Sequence, residues 1–349
     1  MSALPQPAGF TRRPEQPVLF LAPMAGVTNS VFRRICKKRG ADILTTEFVS
    51  ADGILHRNER TGHYVEFTPE ERPLGVQLFG ADPDHLARGA VAVVEWVKPD
   101  FIDINFGCPV NKVVCKNGGS ALLRDAALLA SIAGTIVRAV APLPVTAKIR
   151  TGWDAATVNA TDNARRLEDS GIRRLTIHGR TRAQGYSGEA DWDVIAAAAG
   201  AVQIPVIGNG DIASAETALR RWAAAPVSGL MIGRAAMTSP WIFQEIRAAF
   251  RGEAAPLAPT LADRWDLIEE HCREELIRWH QPVKGMHAMR SRLMAYSRGL
   301  PASRELRRRF GAVDTPEGLA AIRHWHENTV HGEHEAQPEP GMAADPALG

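Results

Sequence analysis

Along roughly the first 250 residues, short apolar runs alternate with longer stretches in which Ala, Leu and Val recur near helical spacing. Eight runs stand out: Val18–Ala22, Ile43–Phe48, Leu74–Phe79, Phe101–Asn105, Val145–Ile149, Arg174–His178, Pro205–Gly208 and Gly229–Ile232. They have the length and composition of strands, and Asp84–Val97, Asp125–Val140, Thr157–Ser170 and Ser214–Ala224 have the length and period of helices between them. Strand followed by helix, repeated, predicts βα units and a parallel sheet. Eight repeats without a glycine-rich dinucleotide fingerprint after the first run favour a closed barrel over an open doubly wound sheet.

After the eighth repeat the pattern changes. Ala254–Pro259 is Pro-rich, and Leu261–Glu327 reads as helical throughout, with breaks near Gly285, Pro301 and Pro316. The predicted organisation is a disordered arm (1–16), a barrel (17–252), a linker (253–260), a helical domain (261–328) and a disordered tail (329–349). Both ends carry too few large apolar groups to pack. The expected fold class is therefore α/β, a (β/α)8 TIM barrel followed by a small all-α helical domain.

Composition adds limits. At 45% hydrophobic and 23% charged, the 349-residue chain is of globular type. No apolar run approaches the roughly 20 residues that cross a bilayer. Met1–Gln16 lacks the apolar centre of a signal peptide, so a cytoplasmic location without membrane association is expected. The four cysteines lack paired spacing, which argues against a disulfide framework. His271, His280, His287, His324 and His326, with Cys272, form no convincing ligand triad, and no metal is expected.

The net charge of +2 is small, but it hides segregation. Between Arg278 and Arg309 nine basic residues face the single acid Glu305, a local +8. Charge runs are commonly solvated helix faces. With almost no acids interleaved, this run favours contact with RNA phosphates.

The active site of such a barrel lies at the C-terminal ends of its strands. The residues there are polar at nearly every position: Pro23-Met24-Ala25-Gly26, Gln77, Asn105 through Pro109, Lys148 with Arg150, His178-Gly179-Arg180, Asn209-Gly210-Asp211 and Gly233-Arg234. Gly208, Gly210 and Gly233 either turn tight loops or admit a phosphate to the backbone, and Arg234 beside them favours the phosphate. Lys148 needs an electron-rich partner, which is either a nearby acid or the pyrimidine edge of a reduced flavin. Gln77 can donate and accept, as a flavin amide edge requires, or can simply end a strand. A cysteine such as Cys108 is often inert filler. On a constrained Asn-x-Gly-Cys-Pro turn, however, a thiol that is mostly protonated at neutral pH suits a general acid.

These residues resemble the FMN-dependent tRNA-dihydrouridine synthase family, in its bacterial DusB-like form. The matching stretches are LAPMAG (Leu21–Gly26), GVQLFG (Gly75–Gly80), IDINFGCPVNKV (Ile102–Val113), GSALL (Gly119–Leu123), AKIRTG (Ala147–Gly152), TIHGRTRAQGYSG (Thr176–Gly188), PVIGNGD (Pro205–Asp211) and MIGRA (Met231–Ala235). They span the barrel in order, whereas the helical domain matches less sharply. The resemblance implies FMN held by Pro23, Met24, Ala25, Gln77, Lys148, Asn209, Gly210, Asp211, Gly233 and Arg234, with His178 at the flavin or the uridine. It implies Cys108 as proton donor, and Asn105, Arg180 and Arg182 near the flipped uridine or its phosphates. The implied reaction uses NADPH, or NADH, to reduce FMN; hydride then passes from flavin N5 to uracil C6 and a proton from Cys108 to C5. The implied partner is tRNA, through its D-loop and elbow, with no obligate protein partner. Competing readings are an FMN barrel acting on a small molecule and a non-catalytic RNA-binding protein that keeps the scaffold.

Overall fold

A computed structural model of the chain describes residues 9–12, 14–115 and 117–335. Among them are nine strands: β1 (Val18–Leu21), β2 (Leu44–Thr45), β3 (Val49–Ser50), β4 (Leu74–Phe79), β5 (Phe101–Phe106), β6 (Val145–Arg150), β7 (Arg174–His178), β8 (Val206–Asn209) and β9 (Gly229–Ile232). All pairings are parallel, in the order β1-β9-β8-β7-β6-β5-β4-β2, with β3 also on β4. A parallel bridge between Phe20 and Ile43 joins the first and last members. The sheet is thus a (β/α)8 barrel, with β2 and β3 sharing one place.

The expected run Ile43–Phe48 is split for a local reason. Thr46 N donates to Gly75 O at 2.9 Å, but the Thr46 hydroxyl then takes the Gln77 N–H at 3.1 Å in place of a strand carbonyl. The ladder resumes where Val49 pairs with Leu78.

Alternation along each strand sorts the core into two layers. Leu19, Leu21, Ile102, Ile104, Phe106, Ala147, Ile149, Leu175 and Ile177 face outward into the cluster shared with the helices. Phe20, Ile43, Phe101, Ile207 and Met231 face inward. The helices start where the chain supplies caps: Asp82, Asp125 and Asp191 accept from the amides of His85, Leu128 and Val194.

The N-terminal end of the barrel is filled by a cation among aromatic rings. The Arg174 guanidinium lies 4.7, 4.8 and 4.5 Å from the ring centroids of Phe10, Phe20 and Phe101. Burial lowers its pKa to about 10, against the pull of Asp103. Phe10 belongs to the segment expected to be disordered. Here it packs into the inner cluster, and Arg12 Nη2 donates to Val202 O at 2.7 Å. One large ring and one cation anchor what the average composition of the arm does not reveal. Residues 1–8 and 13 lie outside the described residues.

A second compact unit begins at Ala258. Its helices span Leu261–Trp279, Pro282–Tyr296, Ser303–Ala312 and Pro316–Glu335. Thr260 and Asp263 form a reciprocal cap on the first. Trp265 Nε1 donates to His326 Nδ1 at 3.0 Å, which leaves His326 Nε2 to donate to Pro301 O at 2.9 Å. His271 Nδ1 lies 2.9 Å from the Tyr296 hydroxyl. His271 and His326 are thus buried ties within a helical core.

The helix Pro316–Glu335 runs beyond position 328, where the sequence predicted the domain to end; residues 336–349 lie outside the described residues. Within the basic run, Lys284, Arg298, Arg304, Arg307 and Arg308 are exposed, whereas Arg292 is buried. Glu305 is engaged by Arg308 at 2.6 Å and Arg309 at 2.9 Å. No helix among the described residues is long and apolar enough to cross a membrane.

Candidate active site

The alternation that builds the barrel also loads it with polar groups. On β5 the inward positions are Phe101, Asp103 and Asn105; on β6 they are Thr146, Lys148 and Arg150; on β7 they are Arg174, Thr176 and His178. Strand register sets Asp103 beside Thr146, Asn105 beside Lys148 and Arg150 beside His178. One apolar residue per pair stabilises the outer layer while its neighbour faces the lumen.

Cys108 follows β5 and is 8% exposed. Its N–H donates to Asn105 Oδ1 at 2.8 Å, as does that of Gly107 at 3.1 Å. Its carbonyl accepts the Ser120 amide at 3.1 Å and hydroxyl at 2.9 Å. Gly119, at φ +60°, permits that return: a Cβ there would stand 2.8 Å from the Cys108 carbonyl oxygen. The thiol's pKa is raised by burial, with a backbone hydrogen bond, Arg150 and Lys148 opposing. Desolvation disfavours the thiolate, so the group is held as an acid.

Asn105 Nδ2 donates to Gln77 Oε1 at 2.8 Å, and Gln77 Nε2 donates to Asp103 Oδ2 at 2.7 Å. Asp103 also accepts the Thr146 hydroxyl, and burial raises its pKa against these bonds and the nearby cations.

Lys148 has no ion pair or hydrogen bond among the described residues, and the nearby acid Asp103 acts on it through charge alone. Burial, then Arg150, lowers its pKa to about 8, while Asp103 and Cys108 pull the other way. Arg150 is tied to the carbonyls of Gly107, Thr181 and Gly185 at 3.0, 2.8 and 2.9 Å. Burial and the cations Lys148, Arg150, Arg180 and Arg234 push His178 down to about 2, so its imidazole is neutral.

The rim after β7, β8 and β9 is organised by Asp211. It accepts from Arg180 Nη2 and from the Ala190 amide at 2.8 Å each, and from Arg234 Nη2 at 3.1 Å. Burial would raise its pKa, but these partners hold it below the usual carboxylate range. Arg180 also reaches Ser187 O at 3.1 Å and Gly188 O at 2.6 Å, yet its Nη1 is buried without a partner. Gly210, at φ +126°, leaves room where a Cβ would meet Ala190 at 2.6 Å. Gly233 lies within 3.5–3.7 Å of Ala22 and Met24 when given a Cβ, placing the ends of β1 and β9 side by side.

The structure therefore brings Pro23–Ala25, Gln77, Asn105, Cys108, Lys148, His178, Arg180, Asn209–Asp211, Gly233 and Arg234 to one end of one barrel. Arg182 sits farther out, 4.6 Å from the Trp153 ring, with Arg124 4.1 Å from the same ring. Several expected ligands already have side-chain partners. Asn209 Nδ2 donates to Met231 O at 2.8 Å, Gln77 joins Asp103 to Asn105, and Asp211 orients two arginines. Sequence reasoning did not single out Asp103, Tyr186 or Trp153. Asp103 has a legible signal, a charge at an inward position of the alternating stretch FIDINF. Tyr186, 4.9 Å from Arg234 and 5.9 Å from Arg150, has none short of the fold.

An arrangement of buried arginine, a lysine without a hydrogen-bond partner and glycine-lined loops at the ends of β8 and β9 fits a phosphorylated, electron-rich cofactor. A buried guanidinium nitrogen without a partner is the atom that such a group would satisfy.

Comparison with known proteins is consistent with this geometry. The family described as "Dihydrouridine synthase (Dus)" matches residues 20–330. The chain is 43% identical over 307 residues to tRNA-dihydrouridine synthase B of Pseudomonas aeruginosa, covering 87% of this chain and 91% of that one. It is 40% identical over 306 residues to tRNA-dihydrouridine synthase B of Xanthomonas campestris pv. campestris, covering 88% and 91%. Among solved structures, 6-hydroxypseudooxynicotine amine oxidase of Pseudomonas geniculata aligns at a TM-score of 0.51 and 14% identity, over 70% of this chain and 50% of that one. That likeness concerns the fold alone.

Proposed function

The chain belongs to the dihydrouridine synthase family and is a flavin-dependent tRNA-dihydrouridine synthase; from that premise we propose that FMN is its resident cofactor, NADPH its electron donor, and Cys108 the acid that completes reduction of D-loop uridines. One observation carries the reading: a thiol kept protonated by burial shares a barrel mouth with an unpaired lysine and an unsatisfied buried arginine nitrogen. The setting proposed is the cytoplasm.

In this reading the backbone at Gly210–Asp211 and Gly233–Arg234 would hold the FMN phosphate, with Arg234 kept beside it by Asp211, which also orients Arg180. Lys148 would hold the electron-rich pyrimidine edge, Pro23–Ala25 would hold the ring, and neutral His178 would donate or accept without adding charge. Gln77 and Asn209 act chiefly as braces, since their amides are engaged. Bound there in reduced form, the flavin supplies a hydride for C6 of the uracil.

Cys108 then gives its proton to C5, and sulfur keeps the electron pair as a thiolate. Lys148 and Arg150 lower the cost of that charge, and water returns the proton. Asn105, through the second hydrogen of its Nδ2, and Arg180 and Arg182 are proposed to hold the extruded uridine and its phosphates. The exposed cations Lys284, Arg298, Arg304, Arg307 and Arg308 are proposed to follow the elbow of the folded RNA.

The test is to record the absorbance of the purified chain, then incubate it with NADPH and tRNA lacking dihydrouridine and map the product by mass spectrometry. A flavin spectrum and D-loop dihydrouridine are expected. A colourless, folded protein, or turnover on free uracil that equals turnover on tRNA, overturns the reading.

A further inference from the structure

Asp103 is a buried acid on an inward strand position that the reaction leaves without a role, and its surroundings are specific. It lies on the inward face of β5, 5% exposed, with both carboxyl oxygens engaged. Oδ1 accepts the Thr146 hydroxyl, and Oδ2 accepts Gln77 Nε2 at 2.7 Å. From there a single line of hydrogen bonds runs toward the site. Asn105 Nδ2 donates to Gln77 Oε1 at 2.8 Å, and Asn105 Oδ1 accepts the amides of Gly107 and Cys108 at 3.1 and 2.8 Å.

The line has a direction. At one end the backbone N–H groups of Gly107 and Cys108 can only donate; at the other the Asp103 oxygen facing Gln77 accepts. The two amides between them are the links that could turn over, exchanging donor for acceptor. A fixed donor at one end and a fixed acceptor at the other leave each amide one satisfied orientation. An asparagine at position 103 would not impose this, since it could turn its own amide and offer a donor instead.

We propose that Asp103 is a positioning residue for proton delivery: as the terminal acceptor of the Gln77–Asn105 line, it fixes the Asn105 carbonyl beneath the Gly107–Cys108 turn and so fixes the thiol in the barrel mouth. The inference rests on the reading of Cys108 as proton donor. Cooperative polarisation along buried hydrogen bonds strengthens such a line beyond its separate links.

The test exchanges charge along the line in the full-length chain as purified with its cofactor. Gln77→Glu, assayed from neutral to alkaline pH so that a proton shared by the two carboxyls is removed, places two carboxylates face to face and breaks the link. Adding Asp103→Asn restores it with the same net charge. The new amide at 103 then donates to the carboxylate at 77, whose other oxygen still accepts from Asn105.

Two quantities are read: kcat and KM for dihydrouridine formation on tRNA, and the iodoacetamide alkylation rate of Cys108 relative to exposed Cys115, resolved by peptide mass. Gln77→Glu is expected to lower kcat about 100-fold with KM for tRNA little changed, since small misplacements near the chemistry have costs of this order. It should raise relative Cys108 alkylation about tenfold as the turn loosens. The double variant should recover at least about tenfold in kcat, the size of coupling expected of contacting residues. Asp103→Leu, a further variant, should behave as Gln77→Glu does. A double variant no better than Gln77→Glu in both readouts, or an Asp103→Leu chain with unchanged kcat and alkylation, overturns the proposal. A wild-type chain that makes no dihydrouridine overturns the reading of the activity instead, and the alkylation arm then decides the positioning alone.

Discussion

Cys108 donates its backbone N–H to the side chain of Asn105 at 2.8 Å, so the proposed acid is held by a residue three positions earlier on the same strand end. The thiol itself takes no part in that bond. Its position is set by the main chain and its protonation by burial, two controls that substitutions can separate.

Replacing Cys108 with Ala removes the proton without disturbing the turn. The variant is expected to keep its flavin spectrum and to lose about 100- to 10,000-fold in dihydrouridine formation, the range typical of a positioned acid. Single-turnover assays on the reduced enzyme with tRNA check this. Loss confined to the flavin content would place Cys108 in cofactor binding instead.

The acid works as a thiol, so its pH dependence has a definite sign. Burial raises the thiol pKa, which means that the active form persists below that value and is lost as pH rises through it. The alkaline limb due to Cys108 should lie above the ordinary thiol value of about 8.5. His178, depressed to about 2, should contribute no limb near neutrality. A pH profile of dihydrouridine formation on tRNA by the pre-reduced enzyme reads both; a limb near pH 6.5 that vanishes in His178→Asn would contradict the second statement.

Much of this site was legible in the chain before folding, and the part that was not has a common cause. The eight runs match strand places to within two residues, as with Phe101–Asn105 against β5 at Phe101–Phe106, because alternating apolar blocks report the outer layer. Rim residues such as Lys148 and Asn209 were visible because they end such blocks. Asp103, Thr146 and Arg174 lie within or at the start of blocks, and their importance depends on register between strands. Gln77 is brought opposite Asp103 by the pairing of β4 with β5, which no single run encodes. Trp265 and His326, 61 positions apart, meet only in the packed helices, so a histidine that invited a metal is a core tie.

Lys148 offers a separate titration. Its pKa of about 8 should rise when an electron-rich ring is bound, so binding takes up a proton. Affinity for reduced FMN should therefore fall above pH 8, by up to about tenfold per pH unit. In Lys148→Met the slope should flatten. Anaerobic spectral titrations at several pH values decide it, and an unchanged slope in the variant would assign the proton elsewhere.

Asp211→Ala releases two arginines at once. Arg180 is almost fully buried and loses its carboxylate, a charged hydrogen bond of about 1.5–3 kcal/mol. FMN should dissociate more readily and Tm should drop. Asp211→Asn should recover part of the stability, because the amide oxygen still accepts from one arginine. Thermal unfolding with and without added FMN separates the two effects; equal losses in Tm and an unaltered Kd for FMN would leave Asp211 a purely structural role.

The Arg174 cation among Phe10, Phe20 and Phe101 has a bearing on traffic as well as on stability. A barrel stoppered at its base has a single doorway. On the function proposed above, a bulky reductant and a folded RNA would both have to come in by that doorway, and where the vessel is closed would make them rivals for it.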